Sequence, residues 1–200
     1  MEKPAITRTP IHELIAARWS GRAYDAGKSV SHEQLIALLE AARWAPSCYG
    51  DQPWRFVVWN RQADAEGWQM AFDCLSPGNQ GWVKDAPLLV LVCADSLFHH
   101  NGQPNRHAQY DTGAAAENLC LQAEALGLMA HQMGGFDAER MRTVAGVPEQ
   151  FTLMAMVSVG HPAEVSMLSA EALERESAPR KRRELGELFF SGKWGRAVDH

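Results

Sequence analysis

The sequence predicts one domain over residues 1–200, of the α+β class or with a three-layer α/β arrangement. Helical and strand-like segments alternate along the chain without a regular repeat, and about three or four of the segments are strands. One of these strands is continuously apolar, which is typical of a strand covered on both faces. A length of 200 residues and a hydrophobic content of 46% suit a single domain with its own core.

Two helices are predicted before the first strand. Thr9 and Pro10 indicate a helix start, because the hydroxyl can cap the helix and proline at the first position loses no needed N–H group. The second helix begins at Ser31, where Gln34 completes a capping box, and it has to end before Pro46. Its apolar face consists of Leu35, Leu38, Leu39 and Ala42.

The middle of the chain contains two predicted strands. Residues 55–59 form the first, and residues 87–93 form the continuously apolar one. Between them we expect a helix over residues 63–75 and a loop over residues 76–81.

The longest predicted helix covers residues 108–126. Small side chains are dense along it, so a neighbour can pack closely, and Gly127 ends it. Asp137 caps a short helix that ends near Gly146, and residues 151–159 form the last core strand.

The tail that begins at Ser169 is charged, and its apolar residues come late. One way to bury such a cluster is to lay it on a second subunit, so a dimer is expected. The cluster consists of Leu188, Phe189, Phe190 and Trp194.

Composition narrows the class of protein. A net charge of -5 argues against binding to nucleic acid, which needs a basic face. The four cysteines form no CxxC pair, so we interpret them as buried free thiols in a reducing compartment. The N-terminus lacks a signal-peptide core, and the apolar stretch 86–94 is too short to cross a bilayer. We therefore expect a cytoplasmic protein without a nucleic-acid or membrane partner.

Two basic clusters are candidates for binding phosphate. Arg18 and Arg22 flank Ser20 just after the first helix, and guanidinium and hydroxyl groups are good phosphate donors. A second basic run covers residues 180–183. Taken separately, the first cluster is also typical of a solvated helix end, and the second of a solvated stretch. If the two clusters meet in space, they form one phosphate pocket.

Two further segments are candidates for contact with a flat polar ligand. The loop over residues 45–54 is framed by two prolines and carries polar groups, although it is also a simple helix-to-strand connection. Gly134 and Gly135 allow close approach of the backbone to a ligand, or they form only a turn. Neither a dinucleotide-binding glycine motif nor a phosphate loop is present.

Taken in order, these pieces resemble the nitroreductase family of flavoproteins over nearly the whole chain. The matching segments are Arg18-x-Ser20-x-Arg22, Pro46-Ser47 with Gln52-Pro53-Trp54, Asn79 before Asp85-Ala-Pro87, Asp111 to Leu119, Met133 to Asp137, and Arg182 to Phe190. The resemblance implies an α+β, three-layer domain with a central mixed, mostly antiparallel sheet. It also implies a C-terminal extension that embraces the partner subunit of a homodimer.

The resemblance implies FMN as the cofactor, bound at the subunit interface. The residues implied to bind near the phosphate are Arg18, Trp19, Ser20, Arg22, Arg182 and Arg183. Asn79 is implied to contact the ribityl chain or the pyrimidine edge of the flavin. Gly134 and Gly135 are implied to offer N–H groups near flavin N5 and O4. The residues implied to come from the partner subunit are Pro46, Ser47 and Cys48.

Three positions depart from the family pattern. Gly50 replaces a common asparagine and so removes a side-chain donor. Trp19 replaces a frequent basic or polar residue, and Glu184 replaces a common proline. None of these departures removes an arginine from the phosphate motif.

The implied activity is a ping-pong reaction in which NADH or NADPH passes hydride to flavin N5 and a small electron-poor acceptor then receives it. No protein side chain is implied to be catalytic. The acceptor and the nicotinamide preference are open, with five aromatic residues as candidates for the acceptor pocket: Tyr49, Trp68, Phe72, Phe98 and Tyr110.

Two other functions remain as alternatives. One is a protein that binds or remodels flavin without reductase activity. The other is a hydrolase or metal enzyme that uses His99, His100 and His107, although a polar loop is the simpler interpretation of those residues.

Overall fold

The computed structural model describes residues 2–198 as three layers, with a sheet between two groups of helices. The helices are α1 (Glu13–Ala17), α2 (His32–Arg43), α3 (Ala65–Phe72), α4 (Pro77–Val83), α5 (Ala108–Ala125), α6 (Ala138–Ala145), α7 (Ala170–Ser177) and α8 (Leu185–Leu188). The strands are β1 (Trp54–Asn60), β2 (Leu88–Asp95), β3 (Met129–Met133) and β4 (Phe151–Gly160).

The sheet has the strand order β1-β2-β4-β3, and all three pairings are antiparallel. The family resemblance implied a mixed, mostly antiparallel sheet, but residues 2–198 contain no parallel pair in it. The α+β class with three layers is confirmed. Strand β2 is central, and each of its eight residues is buried. Its continuous apolar run was the reason to expect cover on both faces, and the structure provides that cover.

Alternate residues of β2 belong to two different cores. Leu88 packs with residues of α2 and α5, including Leu38 and Leu119. Leu89 belongs to the core on the other face, with Trp68 of α3 and residues of α4 and α6. Because side chains alternate across a strand, an apolar run of this kind needs a helical layer on each side.

Several helix boundaries follow local signals in the sequence. Ser31 and Gln34 form the predicted capping box at the start of α2. The Asp137 side chain accepts a hydrogen bond at the start of α6, and Gly146 ends that helix in the left-handed conformation. Gly127 follows α5 with φ of 67°. These predictions are confirmed.

Three local predictions are wrong. Helix α1 is capped by His12 rather than started at Thr9, because the His12 ring accepts the Leu14 N–H. The predicted loop 76–81 lies within α4 and its N-cap, where burial of Trp82 offsets the poor helix propensity of the glycines. The charged tail contains α7, which was not predicted. No helix of residues 2–198 combines the length and apolarity needed to span a membrane.

Candidate functional site

The two basic clusters meet where the end of α1 contacts the C-terminal segment. Arg180 Nη1 donates hydrogen bonds to the carbonyl oxygens of Lys3 and Ala16, at 2.6 and 2.9 Å. Its Nη2 donates to the carbonyl oxygen of Arg18 at 3.1 Å. These bonds fasten the second cluster to the first. The sequence placed Arg180 in a basic run but did not identify it as the residue that joins the clusters.

This arginine cluster carries more positive than negative charge. Burial lowers the pKa of Arg180, and the nearby guanidinium groups of Arg18 and Arg182 lower it further, while Glu124 acts in the opposite direction. Arg18 Nε lies 3.2 Å from Oε1 of Glu117, whose side chain is 48% exposed, so water weakens that pair. Cations that lie close together repel one another unless an anion joins them. The cluster therefore favours an anion with several oxygens, such as phosphate.

Arg22 is held in a different way. Its backbone N–H donates to Oε1 of Glu176 at 2.9 Å, and its Nη1 donates to Oε2 at 3.4 Å. The Glu176 side chain is only 2% exposed, so the ion pair is buried on the carboxylate side. The Arg22 guanidinium also lies over the Trp82 ring, 5.7 Å from its centroid. Arg22 is thus fixed in position and its charge is matched. No sequence signal marked Glu176, which lies in the charged tail.

His131 connects this segment to β3, which is an edge strand of the sheet. Its Nδ1 donates to the carbonyl oxygen of Gly21 at 2.9 Å, and its ring lies 4.4 Å from the Trp82 ring between centroids. Burial, the largest cause, and the charges of Arg22 and Arg18 together lower the pKa of His131 to about 4, although the hydrogen bond to Gly21 acts in the opposite direction. The ring is therefore neutral at physiological pH, with its proton on Nδ1.

We expect His131 to make the folded protein sensitive to acid. The folded-state pKa of about 4 lies below the ordinary value of 6.5, so the unfolded chain binds the proton first. The free energy of unfolding should fall as pH drops from about 6.5 towards 4, by about 3 kcal/mol in total. Urea titrations over this range should show a smaller decline for His131→Gln, because glutamine can donate to Gly21 without taking up a proton. An equal decline in both proteins would contradict this expectation.

Helix α4 contacts the loop after β3 through Asn79. Asn79 Nδ2 donates to the carbonyl oxygen of Gly135 at 2.9 Å, and the Ser76 N–H donates to the same oxygen at 3.0 Å. A Cβ on Gly135 would lie 2.7 Å from Ser76 Oγ and 2.8 Å from Asn79 Nδ2, so glycine permits the close approach. A Cβ on Gly134 would meet no atom within 4 Å. Gly135 is needed for packing, whereas Gly134 borders open space that a flat ligand can use.

The two glycines therefore provide a matched pair of variants. Gly135→Ala should lower the free energy of unfolding of the apoprotein by about 1–3 kcal/mol, because the new methyl group displaces Ser76 and Asn79. Gly134→Ala should change it by less than about 0.5 kcal/mol. Thermal melts of the two apoproteins would measure the difference, and equal melting temperatures would contradict the expectation.

The loop Pro46–Cys48 lies at the N-terminal end of α5. The Cys48 N–H donates to Oδ2 of Asp111 at 2.9 Å. Arg18 pairs with Glu117 further along the same helix, and six residues of α-helix rise about 9 Å. Among residues 2–198, no hydrogen bond or ion pair joins this loop to the arginine cluster.

The remaining residues of the predicted phosphate motifs are half-buried or exposed. Trp19 and Ser20 are half-buried, and Lys3 Nζ lies 4.9 Å from the centroid of the Trp19 ring. Arg182 and Arg183 are exposed. Their side chains are therefore accessible to a ligand.

The five aromatic candidates for an acceptor pocket divide into two groups. Trp68 is 3% exposed and stacks with the half-buried ring of Phe72 at 5.0 Å, so these two rings pack at the core. Tyr49 and Tyr110 are 85% and 82% exposed, and Phe98 is half-buried. These three remain candidates.

The segments that carry the histidines considered as metal ligands are bound by Asp51 and Asn105. The His99 N–H and the His100 ring both contact Oδ1 of Asp51, at 3.0 and 3.4 Å. The His107 N–H donates to Asn105 Oδ1 at 3.0 Å. Over residues 2–198, no group of three or more His, Cys, Asp and Glu side chains is arranged to hold a metal ion.

Comparison with known proteins gives consistent matches. The sequence model of the Nitroreductase family matches residues 15–161. A 15.4 kDa protein of Mycolicibacterium smegmatis is 37% identical over 150 residues, which cover 70% of this chain and 97% of that protein. A relative from Archaeoglobus fulgidus, provisionally named NADH dehydrogenase/NAD(P)H nitroreductase, is 30% identical over 75% of this chain and 84% of its own length.

A similar solved structure is described as an oxidoreductase containing FMN. It has a TM-score of 0.88 and 35% sequence identity, and the match covers 96% of each chain. Another solved structure is a nitroreductase-like protein of Desulfovibrio desulfuricans in complex with FMN. It has a TM-score of 0.71 and 28% identity, and the match covers 94% of this chain and 99% of that one.

Proposed function

Because the chain belongs to the nitroreductase family, we propose that it is an FMN-dependent oxidoreductase that takes hydride from NADH or NADPH. Its acceptor is a small electron-poor molecule such as a nitroaromatic compound or a quinone. The solved structures of similar chains that contain FMN support the choice of cofactor.

The observation that carries the proposal is the excess of positive charge in the arginine cluster. Arg18, Arg180 and Arg182 lie close together, while the nearby carboxylates are Glu117 and Glu124. A phosphate monoester adds negative charge and several acceptor oxygens to such a group. The residues present therefore fit the phosphate end of FMN.

The other residues of the site fit the ring end of the cofactor. Gly134 borders open space beside the position that Asn79 and Gly135 define. When bound, FMN would supply the chemistry of hydride transfer between the nicotinamide and the acceptor. Arg18 and Arg182 would hold the phosphate, with Ser20 as a further donor.

Arg22 and the backbone around it would serve mainly to position the cofactor. Its charge is matched by Glu176, so it attracts a phosphate less strongly than Arg18 does. Its guanidinium keeps further N–H donors for a polar ring edge. His131, neutral and bound to Gly21, keeps the segment that carries Arg22 against β3.

The active form in this proposal is a homodimer with two sites. As the family resemblance implies, the Pro46–Cys48 loop of one copy would complete the flavin site of the other; among residues 2–198 the loop is bonded to Asp111 of α5, and no hydrogen bond or ion pair joins it to the arginine cluster. Exposed apolar residues support such an interface. They include Ile15, Tyr110, Leu185, Leu188, Phe189 and Trp194.

An anaerobic titration tests this function. The purified protein should be yellow, and NADH or NADPH should bleach the flavin band, which a nitroaromatic acceptor should restore. A protein that binds no FMN on reconstitution would contradict the proposal. Bound FMN that neither nicotinamide reduces would instead support a flavin-binding protein without reductase activity.

Alkylation of cysteine tests whether Cys48 lies at the flavin site. Burial raises the pKa of Cys93 to about 11 and that of Cys120 to about 12, and it also raises the pKa of Cys74. Cys48 is only half-buried, so a maleimide should label Cys48 first. Bound FMN should slow this labelling at least several-fold relative to the apoprotein. Equal rates, measured by mass spectrometry, would place Cys48 outside the flavin site.

A further inference from the structure

An open cleft of about 780 Å³ lies beside the loop that follows Cys48. It is separate from the arginine cluster, and its walls combine an exposed aromatic ring with cationic side chains. A cleft of this volume is large enough for a small organic ligand. The residues that matter for its chemistry are Tyr49, Asp51, Arg55 and His100.

Tyr49 presents its ring from a constrained loop. Its φ is 56°, in the left-handed region that favours glycine, and the Gln52 N–H donates to Ser47 Oγ across the loop at 3.0 Å. The Tyr49 ring makes edge contacts with the rings of Phe98 and His100, with centroids 6.1 and 5.6 Å away. It is nevertheless 85% exposed, so a flat ligand can stack on it.

Asp51 holds this aromatic group together. Its side chain is 3% exposed, and Oδ1 accepts the His99 N–H at 3.0 Å and lies 3.4 Å from His100 Nδ1. The loop of Tyr49 is thereby joined to the loop that carries Phe98 and His100. The carboxylate charge of Asp51 is shared with these donors, so it opposes an anion in the cleft less than a free carboxylate would.

Arg55 supplies a cation without a carboxylate partner among residues 2–198. Its Nη1 donates to the carbonyl oxygens of Gln52 and Trp54, at 3.0 and 2.8 Å, which fixes the guanidinium at the cleft. Its Nε and Nη2 remain available as donors. Arg43, in contrast, is bound to Glu40 at 3.1 Å. Arg55 is therefore the cation that an anionic ligand would contact.

We propose that this cleft selects planar aromatic acceptors that carry an anionic group, with the ring stacked on Tyr49 and the anion bound to Arg55. A guanidinium offers a carboxylate two parallel donors, so this pairing is directional as well as electrostatic. The inference rests on the proposed function, because it places the cleft next to the loop that would complete the flavin site.

Binding of two matched compounds tests the proposal. Calorimetry with the FMN-loaded protein, without nicotinamide, should show tighter binding of p-nitrobenzoate than of p-nitrobenzamide. Arg55→Gln should weaken binding of p-nitrobenzoate about tenfold and leave that of the amide unchanged. Arg140→Gln is the control, because Arg140 also donates to a backbone carbonyl but lies outside the cleft. This control should change the affinity for neither compound.

Two substitutions of Tyr49 separate stacking from charge. Tyr49→Asn removes the ring and introduces a residue that tolerates positive φ. It should therefore weaken the binding of both compounds roughly threefold to tenfold. Tyr49→Phe keeps the ring and should leave both affinities unchanged. The same variants should change the KM for each acceptor in parallel with its affinity.

The outcomes distinguish this proposal from the proposed function. Failure of nicotinamide to bleach the flavin would count against the reductase, whereas the binding measurements would still report on the cleft. Normal bleaching with equal affinities for the two compounds would overturn the cleft proposal. An effect of Arg55→Gln confined to the ratio of NADPH to NADH would assign the cleft to the hydride donor and also overturn it.

Discussion

Replacement of Glu176 by alanine should lower the free energy of unfolding by about 3–5 kcal/mol. The substitution leaves the Arg22 guanidinium without its buried partner and removes the acceptor of the Arg22 N–H. It also frees the segment that follows α1, so FMN affinity should fall together with stability. Urea denaturation followed by circular dichroism, and fluorescence titration with FMN, would measure the two effects.

Two variants separate the roles of the Glu176 charge and of helix α7. Glu176→Gln keeps an oxygen for the Arg22 N–H but loses the charge. The free energy of unfolding should therefore fall by less, about 1–3 kcal/mol. Glu174→Ala, at an exposed position of the same helix, should be nearly neutral. If Glu176→Ala were as mild as Glu174→Ala, the buried pair would contribute little to the fold.

Replacement of Arg18 by alanine should weaken FMN binding roughly tenfold to a hundredfold while changing stability little. A hydrogen bond to a charged group contributes about 1.5–3 kcal/mol, and each 1.4 kcal/mol corresponds to about a factor of ten. In the free protein Arg18 contacts Glu117, which is half-exposed, and a pair of that kind is worth about 0–1 kcal/mol. Equilibrium dialysis of FMN and thermal melts of the apoprotein would show the contrast.

The loss of FMN affinity expected for Arg18→Ala should depend on salt, because the arginine cluster acts through its charge. Raising the ionic strength should weaken FMN binding to the unsubstituted protein more than binding to Arg18→Ala. Arg140→Ala removes an exposed arginine that pairs with Asp73, and it should leave FMN affinity unchanged. Tight FMN binding by Arg18→Ala would exclude Arg18 from the phosphate site.

Local signals in the sequence predicted much of the fold correctly. Ser31 and Gln34 marked the start of α2, and the apolar run of β2 indicated a helical layer on both faces. These signals depend on short stretches of chain, where hydrogen bonding and side-chain alternation decide the structure.

Other elements depend on distant residues and could not be predicted in this way. Ser76 and Pro77 repeat the hydroxyl residue and proline of Thr9 and Pro10, but only the second pair along the chain begins a helix, and the Ser76 side chain makes no capping hydrogen bond there. Burial of Trp82 against Tyr24 and His131 stabilises α4 despite its two glycines. That packing is a tertiary effect, so the sequence of the segment alone does not reveal it.

In the candidate site, too, some features were predicted from the sequence, whereas others depend on distant residues and were not. Two arginine clusters far apart in the chain were expected to meet, and Arg180 joins the second to the backbone of Arg18. Glu176 was not expected, because a glutamate in a charged amphipathic tail has no local feature that distinguishes a buried carboxylate from a solvated one. Only the packing of α7 against the segment that follows α1 makes Glu176 the partner of Arg22.

The bond between Arg180 and Lys3 spans 177 positions of a 200-residue chain, and that between Arg22 and Glu176 spans 154. During synthesis the ribosome releases one side of this arrangement long before the other. The strands, which end at Gly160, can pair before the arginines gather. Long-range closures of this kind come late in folding, so the cofactor would bind a chain already built around its sheet. FMN would then stabilise the finished protein by mass action rather than guide its assembly.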